Sequence, residues 1–302
     1  MMETAQAGHR PWLQIWLLVL VLLLIETSSR GSQQVSDRAG TADVNDTTLY
    51  YEMAGEGHPL VLIHGGGVDR RMWDDQFQVF AEHYRVIRYD LRGSGRSDIP
   101  KERWSHSQDL HSLLRFLKVD KAFVLGLSRG GWIAADFTLE HPEMVAALIL
   151  ASANLDGAPE AYGTPGARKA ARDGGVSRAV DMLMENPYLI PGKEYKAARQ
   201  TMREMLDDNA IVNLFVYREM ENLLQRPMLP PTQRVSAIRV PTLFIAGGRD
   251  HPAALGNYDR ESRIIPGARK IVIPGGAHFV PMEQPEEFNR IVLDFLGKLS
   301  KK

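Results

Sequence analysis

The sequence predicts an α/β fold, a mostly parallel sheet with helices on both faces, and two observations carry that prediction. Six short runs are almost continuously apolar, as strands covered on both faces should be: PLVLIHG (59–65), YRVIRYD (84–90), KAFVLG (121–126), AALILAS (146–152), PTLFIAG (241–247) and RKIVIPG (269–275). Between them lie segments with helical spacing: DDQFQVFAEH, SHSQDLHSLLRFLK, RGGWIAADFTLEH and the closing PEEFNRIVLDFLGKLS. Alternation of this kind requires parallel pairing, because a parallel crossover needs a helix-length return. Ahead of the first run, TTLYYEMAG alternates polar and apolar residues and reads as an antiparallel edge strand. No internal repeat is present.

Composition narrows the function classes. The 302 residues are 44% hydrophobic and 24% charged with a net charge of -1, so neither a basic nucleic-acid surface nor an acidic disordered chain is expected. Cysteine is absent, which excludes disulfides, thiolate metal sites and a cysteine nucleophile. No H-E-x-x-H or comparable ligand cluster points to a metal.

The amino terminus departs from this pattern. WLQIWLLVLVLLLI (Trp12–Ile25) is almost wholly apolar. As a helix it reaches about 21 Å, short of the roughly 30 Å hydrocarbon core, which favours a signal peptide over a permanent span. Small residues in ETSSRGS offer a cleavage site, whereas Arg30 beyond the run and Glu3 opposing Arg10 leave an uncleaved anchor as the alternative. Residues 1–31 are thus expected to export the chain, to periplasm or exterior, or to anchor it, with membrane contact through this segment alone. Residues 32–41 read as a linker, 42–155 and 237–302 as the core.

Residues 156–236 break the rhythm. They hold no convincing strand but several helical stretches, VSRAVDMLME, KEYKAARQTMREMLDD and AIVNLFVYREMENLL, and form an insertion that RPMLPPTQ closes. Six of the 12 methionines fall there: Met182, Met184, Met202, Met205, Met220 and Met228. They are either packing residues or walls of an adaptable apolar pocket; in the second case Met202, Met205 and Met220 select among acyl chains.

The chemistry gathers around GLSRGG (126–131), a serine flanked by glycines between a strand and a helix. Gly126 and Gly130 leave room for a sharp turn that holds Ser128 in a strained geometry, and the following helix aims its unpaired N–H groups at whatever the serine attacks. A serine needs a base, and the base an orienting carboxylate. His278 lies in the glycine-rich loop PGGAHF after a strand, which lets its ring reach the catalytic edge. His83 and His141 near helix ends, and His106 and His111 on a helix read as superficial, are structural or solvated. PTLFIAGGRD delivers Asp250 just past a strand, with Asp156 in SANLDG as the competing acid. LIHGGGVD supplies small residues beside the nucleophile strand. The N–H groups of Gly66 and Arg129 are expected to form the oxyanion hole, with His64 structuring the loop.

The order Ser128, Asp250, His278, together with HGGG, YDLRGSGRSD and GAHFVPMEQPEEF, resembles the α/β-hydrolase superfamily over about residues 45–300. Within it the chain is similar to the compact esterase, enol-lactonase and carbon–carbon hydrolase branch. The resemblance implies the α/β-hydrolase fold: a mostly parallel sheet of the eight-stranded type flanked by helices, with a helical cap inserted after the sixth strand. It also implies Ser128 as nucleophile, His278 as base, Asp250 as its partner and the cap over the acyl site. The hydrophobic leader is a departure from many cytosolic relatives.

Ser128 argues against relatives that use an elbow aspartate on epoxides or halides. RGSGRSD is half of a dinucleotide fingerprint, but Asp98 stands where the third glycine belongs, so no nicotinamide cofactor is expected. The reading is a cofactor-free serine hydrolase acting on a small carboxylic ester or lactone. Carbon–carbon hydrolysis and aminopeptidase activity remain alternatives. The second would use cap carboxylates such as Glu185, Glu194, Glu204, Asp207, Asp208, Glu219 and Glu221. A ligand sensor is the alternative from outside the enzyme class.

Overall fold

The computed structural model describes residues 38–155, 164–212, 223–225 and 231–300. Strands are β1 (Arg38–Val44), β2 (Thr47–Ala54), β3 (Pro59–Ile63), β4 (Arg85–Tyr89), β5 (Ala122–Leu127), β6 (Val145–Ala151), β7 (Thr242–Gly247) and β8 (Arg269–Ile273). They form one eight-stranded sheet in the order β1-β2-β4-β3-β5-β6-β7-β8. β1 with β2 and β2 with β4 are antiparallel, and every other neighbour is parallel. The continuous apolar runs have the burial they imply. All of β5 and β7, and Leu60–Ile63 of β3, are buried.

The antiparallel margin differs from expectation. TTLYYEMAG folds as β2, one strand in from the edge, and the edge itself is β1, which starts at Arg38 inside the residues read as linker. RAGTADV offers few apolar side chains and is largely solvent-exposed, so it lacks the signature of a covered strand. Arg38 and Asp43 on this edge, and Arg269 and Lys270 on β8 at the other, place charge where an unpaired edge would recruit a second chain.

Helices α1 (Asp74–Ala81), α2 (His106–Phe116) and α3 (Arg129–Glu140) connect the central strands. In α2 the Ser105 hydroxyl caps the first turn by accepting Gln108 N–H, and His106 is buried edge-on against Trp104 rather than superficial. The insertion holds α4 (Thr164–Gly174), α5 (Val176–Met184) and α6 (Lys196–Ile211), followed by the single turn α7 (Pro231–Arg234). Beyond β7 come α8 (Pro252–Ile264), the short α9 (Val280–Glu283) and α10 (Pro285–Leu299). α10 buries Phe288, Ile291, Val292, Phe295 and Leu296, the i, i+3, i+4, i+7, i+8 stripe of a helix with one face on the core.

α6 is bound to the core at its carboxyl end. Asn209, 3% exposed, donates to Asp69 and accepts Gly95 N–H (2.9 and 2.7 Å), while Asp208 pairs with Arg71 (2.8 Å). The return segment 223–225 bonds to the backbone of Trp104 on the core. Among the described residues no helix is long and apolar enough to cross a membrane, and the leader Trp12–Ile25 lies outside them.

Candidate active site

Strand order locates the site. β3 leads to β4 on one side while β5 flanks it on the other, so their connections diverge and leave a crevice at the carboxyl edge. Ile63 pairs with Gly126 there, which sets the glycine loop after β3 beside the serine turn after β5.

Ser128 occupies that turn with φ 53° and ψ -113°, a left-handed backbone that costs a non-glycine residue about 1–3 kcal/mol. Its N–H is held by the Ala151 carbonyl (2.9 Å), and its own carbonyl accepts from Gly131 and Trp132 as α3 begins. The two glycines are required by contact. A Cβ on Gly126 would fall 2.1 Å from the Gly130 carbonyl oxygen, and one on Gly130 would fall 2.2 Å from that of Ile63. Any side chain at either position would push the helix off the sheet and carry Ser128 with it.

The loop after β3 lies against the elbow. A Cβ on Gly66 would approach the Arg129 guanidinium to 3.0 Å, so Gly66 and Arg129 are in contact, and Gly67 needs its positive φ of 81°. His64 is fully buried; its Nε2 accepts Leu91 N–H (2.9 Å), which fixes the proton on Nδ1, and Nδ1 donates to the Gly65 carbonyl (2.8 Å). Burial pushes this ring below the ordinary histidine pKa, against the opposing pull of Asp90. A neutral imidazole with both nitrogens in backbone bonds shapes a loop.

Asp250 follows β7 and His278 follows β8, each 2% exposed. His278 Nδ1 lies 3.0 Å from Asp250 Oδ2. A carboxylate only accepts, so Nδ1 is the donor in this bond and Nε2 is the ring nitrogen left for a second partner. Two more donors reach Asp250: His251 N–H on Oδ1 (2.7 Å) and the Tyr258 hydroxyl on Oδ2 (2.9 Å). A buried anion requires such partners.

The structure thus pairs Asp250 with His278 and Gly66 with Arg129, and sets Ser128 on the same strand edge. Asp156, Met220, Met228, Glu219 and Glu221 lie outside the described residues. Met202 and Met205 are 0% exposed, and a side chain lining an open pocket keeps some accessible surface, so neither lines one. Leu206 beside them approaches the glycine loop after β3, 3.7 Å from where a Cβ on Gly67 would sit. The described candidate carboxylates of the insertion are engaged. Glu185 pairs with Arg199 and Lys193, Glu194 with Arg249, Asp207 with Arg203 and Asp208 with Arg71, while Glu204 accepts from Gln200.

Tyr258, the contacts of Glu283 and the segment 188–192 went unread in the sequence. For Tyr258 the signal was His251-Pro252, an N-cap followed by proline at the first helical position, which starts α8 and sets Tyr258 two turns in.

A strained serine between β5 and its helix, with a glycine loop on the next strand and a buried histidine–carboxylate pair further along the same edge, has the architecture of an α/β-hydrolase. The chain belongs to the alpha/beta hydrolase family, whose model matches residues 60–291. It is similar to the 2-hydroxy-6-oxononadienedioate/2-hydroxy-6-oxononatrienedioate hydrolase of Paraburkholderia phymatum, 30% identical over 272 residues that span 83% of this chain and 91% of that one. Among solved structures, the enol-lactonase from Burkholderia xenovorans LB400 has a TM-score of 0.73 at 25% identity, covering 85% of this chain and 100% of its own. The thermophilic esterase from Thermogutta terrifontis has a TM-score of 0.71 at 25% identity, covering 87% and 99%.

Proposed function

We propose that the chain is a cofactor-free serine hydrolase that cleaves a small carboxylic ester or lactone through an acyl-enzyme. The buried 3.0 Å bond between His278 Nδ1 and Asp250 Oδ2, on the strand edge that presents Ser128, is the observation that carries this reading. With Nδ1–H held by the carboxylate, Nε2 takes the Ser128 proton as Oγ attacks the substrate carbonyl carbon. Charge moves onto the carbonyl oxygen, where the N–H groups of Gly66 and Arg129 stabilise it; the Arg129 amide opens α3 and adds the positive end of that helix. Collapse breaks the carbon–oxygen bond, and the imidazolium gives its proton to the leaving oxygen. Water then loses a proton to the same nitrogen, attacks the acyl-enzyme and releases the acid, and the proton returns to Ser128.

Carbon–carbon hydrolysis is a second reading, favoured by the likeness to the Paraburkholderia hydrolase; there the proton would go to a carbon leaving group. The peptidase reading is weakened because the described cap carboxylates already have partners in the protein. One panel of p-nitrophenyl esters, lactones, vinylogous diketones and aminoacyl amides separates these bond types, and a ligand sensor would show at most a single cycle. Ser128→Ala should fold, lose kcat by roughly 10⁴- to 10⁶-fold and escape a fluorophosphonate probe that labels the wild type. Wild-type turnover by that folded variant would remove Ser128 from the mechanism.

A further inference from the structure

The segment joining α5 to α6, Tyr188–Tyr195, crosses the loop that carries His278 and is tied to it repeatedly. The Tyr188 carbonyl accepts the N–H of His278 itself (3.2 Å). The Tyr195 hydroxyl donates to the Gly275 carbonyl (3.2 Å) and accepts from Gln284 Nε2 (2.6 Å). Arg249, next to Asp250, pairs with Glu194 (2.8 Å). The segment is itself shaped by Asn186, whose side-chain oxygen accepts the N–H groups of Tyr188 and Leu189, both at 3.0 Å.

At the centre of these ties lies Glu283, on α9 and 3% exposed. One carboxylate oxygen accepts Ala277 N–H, from the residue just before His278; the other accepts Gly192 N–H (3.2 Å) from the crossing segment. Burial raises the pKa of this carboxyl, and its two amide donors and Arg249 work against the rise.

We propose that Glu283 is a positioning residue for His278: by taking one backbone N–H from the histidine loop and one from the crossing segment, it locks the imidazole in register with Asp250 and Ser128. The inserted region then does more than select substrate. It forms part of the support that sets the angle of the base, so loosening it reaches the chemical step. The inference rests on His278 being the base.

The geometry makes a glutamine at position 283 an informative change. Its side chain nearly matches glutamate in shape, but one of the two oxygens becomes an NH₂ group that faces an N–H donor, so one arm of the clamp is lost. Displacing a catalytic group by about 1 Å costs on the order of 10²-fold in rate. Glu283→Gln should therefore lower kcat by about 10- to 100-fold per folded molecule while KM for a short p-nitrophenyl ester stays within about twofold. A purely structural residue would lower the active fraction and leave kcat per folded molecule intact, and that result overturns the proposal.

A second readout does not depend on turnover. In the wild type the Nδ1 proton shared by His278 and Asp250 should give a downfield proton resonance that is absent from His278→Gln. In Glu283→Gln it should shift or broaden through exchange with solvent; an unchanged resonance overturns the proposal. If wild-type protein hydrolyses nothing in the panel and resists the fluorophosphonate, the serine-hydrolase reading fails, and this resonance still decides whether Glu283 holds the histidine. Should Glu283→Gln not fold, Tyr195→Phe removes the hydroxyl's two ties without disturbing a buried charge. It should lower kcat by about threefold or more at constant KM, and wild-type kcat there refutes the clamp.

Discussion

Three donors hold Asp250, and their placement decides what an isosteric amide would do there. His251 N–H sits on Oδ1, so an asparagine would keep its carbonyl oxygen on that side and turn its NH₂ toward Tyr258 and His278. Facing a donor, the imidazole must present a lone pair at Nδ1, which moves its proton to Nε2 and leaves no acceptor for Ser128. Asp250→Asn should accordingly lose about 10⁴-fold in kcat, measured by steady-state turnover of a p-nitrophenyl ester. A loss under tenfold would return Asp156 as the acid. The placement of Ser128, Asp250 and His278 at the ends of neighbouring strands was legible because each follows an apolar strand in a glycine-marked turn, a pattern written within about ten residues. Tyr258 and Glu283 were not, because they act from helices brought close only by the fold, and nothing in their neighbouring residues separates them from ordinary helix positions.

At the scale of elements, α6 has two kinds of apolar residue with separable consequences. Met202 and Met205 are fully buried, whereas Leu206 approaches the glycine loop proposed to bind the oxyanion. Met202→Ala should cost about 2–5 kcal/mol of stability, measured by urea denaturation, and leave the preference among ester chain lengths unchanged. Leu206→Ala should enlarge the acyl side of the site. The ratio of kcat/KM for hexanoyl over acetyl esters is then expected to rise, by about fourfold for each methylene newly accommodated. An unaltered ratio in a folded Leu206→Ala protein would place the acyl chain elsewhere. The helical spacing of α5 and α6 was legible, but α4 and α8 were not. Gly166 weakens the start of α4, and Gly256 and Asn257 interrupt α8 with weak helix formers, so tertiary packing decided both.

For the whole molecule, the fold class was legible because strands covered on both faces must be apolar throughout, and the missed edge β1 shows the converse. What sequence cannot display is which buried polar groups the assembled layers enclose. Glu261 on α8 is such a group, 0% exposed, accepting the Leu155 N–H where the chain leaves β6 for the insertion. One turn earlier on α8, Asn257 donates to Asn154 (2.7 Å), so this helix face fastens the start of the insertion to the core. Burial, opposed by the Leu155 bond and Arg260, raises the Glu261 pKa from 4.5 to about 7. A carboxyl with a raised folded-state pKa binds its proton more tightly when folded, so its contribution to stability is complete below about pH 4.5 and is lost as pH rises through about 7. The loss amounts to about 3 kcal/mol at most. Glutamine cannot ionise and keeps an oxygen for the Leu155 N–H. Glu261→Gln should therefore stay within about 1 kcal/mol of the wild type in urea denaturation at pH 5 and exceed it by up to about 3 kcal/mol at pH 8. The comparison isolates this residue, because every other titrating group is common to both proteins. Equal differences at the two pH values would mean that Glu261 is ionised throughout, with solvent or another cation reaching it at the junction between core and insertion.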